Sequence, residues 1–399
     1  MYNKLFSKFF GIALAIIPFG AIYWPEFLGS LASSPAVPLL LILGLIRIFT
    51  HPAKDYMARL AKILIIWGLA NSVFSLLIFG WSFLYFSKLG SHFLLAIAWL
   101  SPFLCIERVS ERHLKRGVYF GVLVLAIGYF FSDIWVDFLN TNIRGFLFYN
   151  EYGELDDGRA RGFNSESSHF AANVGRYFFI AFLMIEHKKE YSRNRLISFL
   201  CFLAICLILT SSKGAAISIG LVIIMVLISG KAIGFSLLLL PLLYYIAETQ
   251  LDNIIFDIEN FTSTSTRVSM YFASIWSLLI NPFGYGYYGF YGVMSMFGSK
   301  TLELMFGMPL LMGEFNFIVN ELKNVSFKST FLDFAVIFGV PFFYFIYKIT
   351  CRIKVSDMRA RAGLIYFFLS SLSVEGYNSI TFSLGIAVLF LNYPRYEKN

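Results

Sequence analysis

Apolar runs close to the length of a bilayer crossing recur from one end of this chain to the other, separated mostly by short polar turns. About 20 apolar residues make a helix as long as the hydrocarbon layer is thick, and lipid requires every backbone N–H and C=O to be bonded within such a segment or a closed barrel. The chain is therefore expected to be an all-α polytopic membrane protein, a single membrane domain over 1–399. About twelve transmembrane helices are read near 9–24, 36–49, 60–80, 92–106, 117–136, 168–186, 196–211, 214–229, 232–247, 330–349, 361–374 and 378–393. Composition agrees, with charged residues at 14% against about 25% in ordinary soluble proteins.

The net charge of +8 does not point to nucleic acid, because the basic residues cluster in alternate short loops. With the N-terminus placed in the cytoplasm, the cytoplasmic side collects 22 of the 32 lysines and arginines, among them Arg47, Arg108, Lys188, Arg195, Arg352 and Arg359. Positive charge retained on that side sets orientation, so both termini are expected there. The opening run KLFSKFFGIALAIIPFGAIYW has the basic start of a signal peptide without a small-residue cleavage site, and reads as a retained first helix. Cys105, Cys201, Cys206 and Cys351 fall in spans or on the cytoplasmic side, with no CxxC spacing.

Two long loops then fall on the outer face, 137–167 and 248–329, and long loops in a compact protein are where function concentrates. The second contains VSMYFASIWSLLI, read as an interfacial amphipathic helix over about 267–280 that Asn281, Pro282 and Gly284 terminate. NPFGYGYYGFYG follows. Its glycines and aromatics show neither helical nor strand period, so it reads as a loop at headgroup level. Two roles are open for it: an aromatic belt, or a sugar-stacking platform made of Tyr285, Tyr287 and Tyr288 with Trp276.

The mouth of the sixth span is the most charged part of any run. RARGFNSESSHFAANVGR places Arg159, Arg161, Glu166, His169 and Arg176 just before and within an apolar helix, with Ser165 as N-cap. At 100° per residue Glu166, His169, Asn173 and Arg176 share one face. Arg176 lies about 15 Å along the helix from Glu166, where an unpartnered arginine costs about 2.5 kcal/mol or more. Either it pairs with Asp133, Asp137 or Glu375, or it faces a wet, outward-open cavity that takes an anion, with Arg159 and Arg161 at the rim. The planar guanidinium fork suits phosphate oxygens. Lys213 in LTSSKGAA and Arg267 in STSTRVSM face the same side; singly each reads equally as an interfacial or solvated cation, and jointly they suggest a pyrophosphate site.

RARGFNSESSHFA, TSSKGA and the Arg267-to-Trp276 stretch leading into NPFGYGYYG resemble, in order and membrane placement, elements of the O-antigen polymerase (Wzy) family, within the group that includes O-antigen ligases. The resemblance covers about 159–292. Lys213 stands where that family commonly has arginine, and the R-x10-G motif of some polymerases is absent from both long loops. The resemblance implies a glycosyltransferase that joins undecaprenyl-diphosphate-linked oligosaccharide units on the periplasmic face of the bacterial inner membrane. It also implies a chain-length regulator as partner. Carried over residue by residue are Arg161, Glu166, Lys213 and Arg267.

Transfer from a lipid diphosphate builds negative charge on the leaving group, which nearby cations stabilise. Arg161, Arg176 and Arg267 are assigned to the diphosphate, with Lys213 as a further point charge. Glu166 is the first choice of general base for the acceptor hydroxyl and His169 the second, a role worth about 10²–10⁴-fold. Glu166 is open to a second reading as a helix-capping carboxylate paired with Arg161. No D-x-D occurs, and Glu154, Asp156 and Asp157 read as a solvated loop, so transfer is expected to need neither metal nor cofactor. Two rivals stand beside the polymerase. A ligase typically uses a histidine in the large outer loop, and none of His51, His92, His113, His169 and His187 lies in 248–329; a flippase or other transporter has no need of an outer loop this long.

Overall fold

The structure is a computed structural model that describes residues 2–20, 34–50, 55–132, 134, 160, 162–163, 167–210, 212–228, 262–305, 312–322, 325–327, 329–372 and 380–395. Among these residues there is no strand, only an isolated bridge between Ile353 and Pro394. In chain order the helices are α1 (Tyr2–Ile16), α2 (Ala36–Thr50), α3 (Tyr56–Phe79), α4 (Phe83–Cys105), α5 (Glu111–Phe130), α6 (Ser167–Glu186), α7 (Arg193–Leu209) and α8 (Lys213–Ile228). The remainder are α9 (Thr262–Ile280), α10 (Gly286–Val293), α11 (Ser299–Met305), α12 (Gly313–Glu321), α13 (Thr330–Phe338), α14 (Val340–Thr350), α15 (Met358–Leu372) and α16 (Ile380–Asn392).

Among the described residues three helices are long and apolar enough to cross a membrane: Tyr56–Phe79, Phe83–Arg108 and Ser168–Glu186. Shorter apolar helices occupy Ala36–Thr50, Gly214–Ile228 and Ile380–Asn392. The expected single span over 330–349 is instead the pair α13 and α14, bent by 118°. Gly339 makes the break at φ 64°, a conformation that costs a residue with a Cβ about 1 kcal/mol or more. The expected span at 232–247 lies outside the described residues.

Burial runs opposite to that of a soluble bundle. On α3 the small polar residues Asn71, Ser72 and Ser75 are buried, while Ile66, Leu69, Val73, Phe74 and Leu77 are exposed. α9 repeats the pattern, with Ser265, Thr266, Ser269, Ser274 and Ser277 inside and Phe272, Ile275, Leu279 and Ile280 outside. Large apolar side chains are stable facing outward only when the surroundings are themselves apolar, and small residues at the helix contacts let backbones approach. Both helices carry a face made for lipid.

The chain forms two compact units, one of residues 1–65, 91–223 and 345–399 and the other of 66–90 and 224–344. In the first, α1 crosses α5 closely because glycine meets backbone: a Cβ on Gly117 would lie 2.4 Å from Gly11 O. The start of α3 is capped by Glu107, whose carboxylate accepts hydrogen bonds from the Met57 N–H at 2.9 Å and the Tyr56 N–H at 3.3 Å. The connections expected on the cytoplasmic side meet one another in this unit. Arg47 and Arg108 share Asp55, the latter at 2.7 Å; Lys188 and Lys115 bind Glu111 at 2.9 and 2.8 Å; Arg195 binds Glu186 at 3.0 Å. Arg359 joins this set through the Glu186 and Lys189 carbonyls and both oxygens of Asp357. Burial raises the pKa of Asp55, but its hydrogen bonds to Arg108 and Arg47 outweigh that and hold the carboxyl below its usual range.

Candidate functional site

The turn that leads into α6 is built by the Gly-Phe pair of RARGFNSESSHFA. Gly162 has φ 54° and lies flat against Phe170, where a Cβ would come within 2.3 Å of the ring. Its N–H donates to Ser132 Oγ at 3.2 Å. Phe163 stacks on Phe19 with centroids 4.8 Å apart, its carbonyl accepts from the Gly20 N–H, and its ring lies over Gly128 of α5. Two residues of the motif are thus scaffold, fixing where the charged stretch enters α6. Arg159, Arg161, Glu166 and the acidic group Glu154, Asp156 and Asp157 lie outside the described residues.

The polar stripe continues into α6 as the periodicity requires. His169, Asn173 and Arg176 are buried together along one side of the helix, Arg176 with no exposed surface. Its guanidinium reaches two neighbouring helices. Nε donates to Ser370 Oγ at 3.0 Å, Nη2 to the Ser370 carbonyl at 2.9 Å, and Nη1 to Thr381 Oγ1 at 3.1 Å. Ser370 is in the last turn of α15, so its carbonyl is among those that no intrahelical N–H can satisfy. A cation there also meets the negative end of the helix dipole. Arg176 therefore ties α6 to the end of α15 and the start of α16.

Among the described residues every hydrogen-bond partner of Arg176 is uncharged. Of the acids considered for pairing with it, Asp133, Asp137 and Glu375 all lie outside the described residues. The outward-open wet cavity expected around Arg176 is not the arrangement found: the side chain is enclosed against α15 and α16, where Ser370 and Thr381 supply three of the acceptors that water would have supplied. α8 begins at Lys213, whose side chain is not among those described.

The second unit changes the reading of the aromatic segment. NPFGYGYYGFYG is not a headgroup-level loop; most of it is the helix α10, and Tyr285, Tyr287 and Tyr288 are all at most 1% exposed. The glycines explain why. Gly286, Gly289 and Gly292 recur every third residue and face α3, where a Cβ would stand 2.5 Å from Gly68 O, 2.5 Å from Ser75 Oγ and 2.5 Å from the Phe79 ring. Ser72 Oγ accepts from the Tyr287 N–H at 2.8 Å, and Tyr288 Oη donates to Gly80 O at 2.6 Å and accepts from the Ser82 N–H at 2.8 Å. Rings held this way present no free face to a pyranose. Upstream, the Phe283 carbonyl accepts from Trp67 Nε1 and Asn71 Nδ2, and the Pro282 carbonyl accepts from the Val340 N–H at the Gly339 break.

The helix expected over 267–280 is longer, Thr262–Ile280, and α11, α12 and α13 pack on it, so it is part of the bundle. Arg267 is half-buried on it, and the preceding Thr266 hydroxyl donates to Glu314 Oε2 of α12 at 3.1 Å. Trp276 keeps part of its surface exposed, meets Phe272 and Phe297 edge-on, and has Lys300 Nζ 5.9 Å above its ring.

No family model matches the chain. It is 27% identical over 396 residues to an uncharacterized 49.5 kDa protein in the cps region of Klebsiella pneumoniae, a match that takes in 92% of this chain and 86% of that protein. The similarity runs through nearly the whole of both chains.

Sequence reasoning missed Ser370, Thr381 and Tyr366 as neighbours of Arg176. The available signal was an arginine deep in an apolar run, which requires acceptors on facing helices; the hydroxyl clusters LSSLS at 369–373 and SITFS at 379–383 were the places to look.

Proposed function

We propose that this protein is a surface-polysaccharide polymerase of the O-antigen type, a membrane glycosyltransferase that joins undecaprenyl-diphosphate-linked oligosaccharide units on the periplasmic face of the inner membrane. The observation that carries the reading is the buried Arg176, one helix run beyond the arginine-rich RARGFNSESSHFA stretch and bonded among the described residues only to uncharged groups. A helical membrane protein sustains a buried cation when function uses its charge. Similarity to a protein of a cps region supports a part in polysaccharide biosynthesis.

In the reaction the acceptor sugar hydroxyl attacks the anomeric carbon of the growing chain, the bond to the lipid diphosphate breaks, and the diphosphate leaves with the electron pair. Arg161, Arg267 and Lys213 contact the leaving diphosphate in this reading. Arg176 belongs to the same set of cations, and even before contact, at about 10 Å and an effective dielectric of about 20, its charge stabilises a unit anion by about 1.7 kcal/mol. Glu166 takes the proton of the attacking hydroxyl, and His169, one turn away, is the second candidate.

The test is a null strain complemented with wild-type, Arg161→Ala, Glu166→Gln and Arg267→Ala proteins, with surface glycan resolved by gel. We expect wild type to restore long polymer and each variant to leave single repeat units, at wild-type protein levels. Long polymer retained on the lipid carrier in the null strain would make the protein a ligase, and units trapped inside the cell would make it a flippase.

A further inference from the structure

Arg176 uses three of the five N–H donors of a guanidinium, which leaves two without an acceptor among the described residues. Beside it lies a second group in the same condition. Tyr366 Oη is fully buried and makes no hydrogen bond among the described residues. Tyr366 and Ser370 are one turn apart on α15 and so face the same way. Ser370 meets Arg176, while the Tyr366 hydroxyl meets Gly175, where a Cβ would stand only 1.7 Å from it. Glycine at 175 makes room for this hydroxyl. Phe179 fixes the ring from below, stacked with centroids 5.2 Å apart and planes 16° from parallel.

Ser370, one turn along α15, does not satisfy the phenol. The Ser370 hydroxyl hydrogen goes to the Phe367 carbonyl at 3.2 Å, and its oxygen accepts from Arg176 Nε. What remains is two N–H groups and one O–H around a fixed positive charge. A water molecule would accept at most two of these and would need acceptors for its own hydrogens. One anionic oxygen accepts all three and neutralises the charge.

We infer that Tyr366 and Arg176 together hold one anionic oxygen of a phosphate group, with the Tyr366 hydroxyl as the donor that determines specificity. The inference rests on the polymerase reading for the source of that oxygen, a lipid-linked diphosphate; inorganic phosphate offers the same chemistry. The pair has no exposed surface in this structure, so entry of the ligand parts α15 from α6 beside Gly175.

The experiment uses the full chain purified in detergent and measures the rise in thermal midpoint with inorganic phosphate, inorganic pyrophosphate and farnesyl diphosphate, for wild type and Tyr366→Phe. We expect farnesyl diphosphate to stabilise wild type, and the phenylalanine variant, which keeps the ring stack, to bind it about tenfold more weakly while its ligand-free midpoint stays equal or rises. Stabilisation by inorganic phosphate alone would assign the oxygen to the free anion. An unchanged affinity in Tyr366→Phe overturns the inference and leaves the hydroxyl an orphan of packing. A wild-type protein that responds to none of the three probes overturns it as well, and needs no variant to fold; Tyr366→Met repeats the comparison if the phenylalanine variant does not accumulate. The glycan gel separates the two readings: polymer lost in the null strain with unchanged Tyr366→Phe affinity removes this inference alone, whereas probe binding with polymer retained removes the polymerase.

Discussion

At the scale of single residues, glycines decide more here than charges do. Gly175 and Tyr366 form a pair in which one side chain occupies the volume the other gives up. Gly175→Ala is expected to destabilise the protein by about 1–3 kcal/mol through overpacking. Tyr366→Phe in the same chain should restore part of the loss, because the hydroxyl is the atom in the way; thermal midpoints of the two single variants and the double variant check this as a mutant cycle. Glu111 gives a second prediction. Its hydrogen bonds to Lys115 and Lys188 outweigh a small opposing effect of burial and bring its pKa down to about 2, from 4.5 unpaired. A depressed carboxylate contributes stability that is present above its unfolded pKa and lost as pH falls through the folded one. Glu111→Gln should therefore differ from wild type in thermal midpoint at pH 6 and converge with it as pH is lowered from about 4.5 towards about 2.

At the scale of elements, α10 shows what periodicity revealed and what it hid. The sequence presents NPFGYGYYGFYG as aromatics and glycines in apparent disorder, yet Gly286, Gly289 and Gly292 form a period of three that is a helix contact. That signal was legible; its partner was not, since Gly68, Ser72 and Ser75 lie more than 200 residues away and nothing local points to them. The same holds for the site. The face shared by His169, Asn173 and Arg176 follows from helical spacing alone, while the acceptors Ser370 and Thr381 come from helices whose proximity is a tertiary fact. Gly289→Val is expected to force α10 off α3 and lower accumulation of folded protein, because its Cβ would sit 2.5 Å from Ser75 Oγ. Tyr288→Phe should lower the thermal midpoint through loss of the bonds to Gly80 and Ser82, at about 1 kcal/mol each, with the Km for lipid-linked substrate unchanged. A shift in Km at unchanged stability would return the ring to the sugar-binding role.

At the scale of the molecule, the loops that the charge distribution expects on one side of the membrane are also loops that touch one another in space. Loops that the Lys and Arg distribution assigns to the cytoplasm are joined to one another in the first unit: 47–55 to 108, 111 to 188, 186 to 195 and 359, and 352–354 to 393–395. Helices that cross a membrane an even number of times between such loops bring them back to one side, whereas an error of one span would set joined loops on opposite sides of about 30 Å of hydrocarbon. Labelling with a membrane-impermeant maleimide tests this directly. In a chain whose Cys105, Cys201, Cys206 and Cys351 are replaced by serine, Glu190→Cys and Lys354→Cys should react only when the cytoplasmic face is opened. Ser87→Cys, exposed in the second turn of α4, should react in intact spheroplasts. Labelling of positions 87 and 190 from the same side would require an even number of spans between them and would remove the periplasmic placement on which the transfer reaction depends.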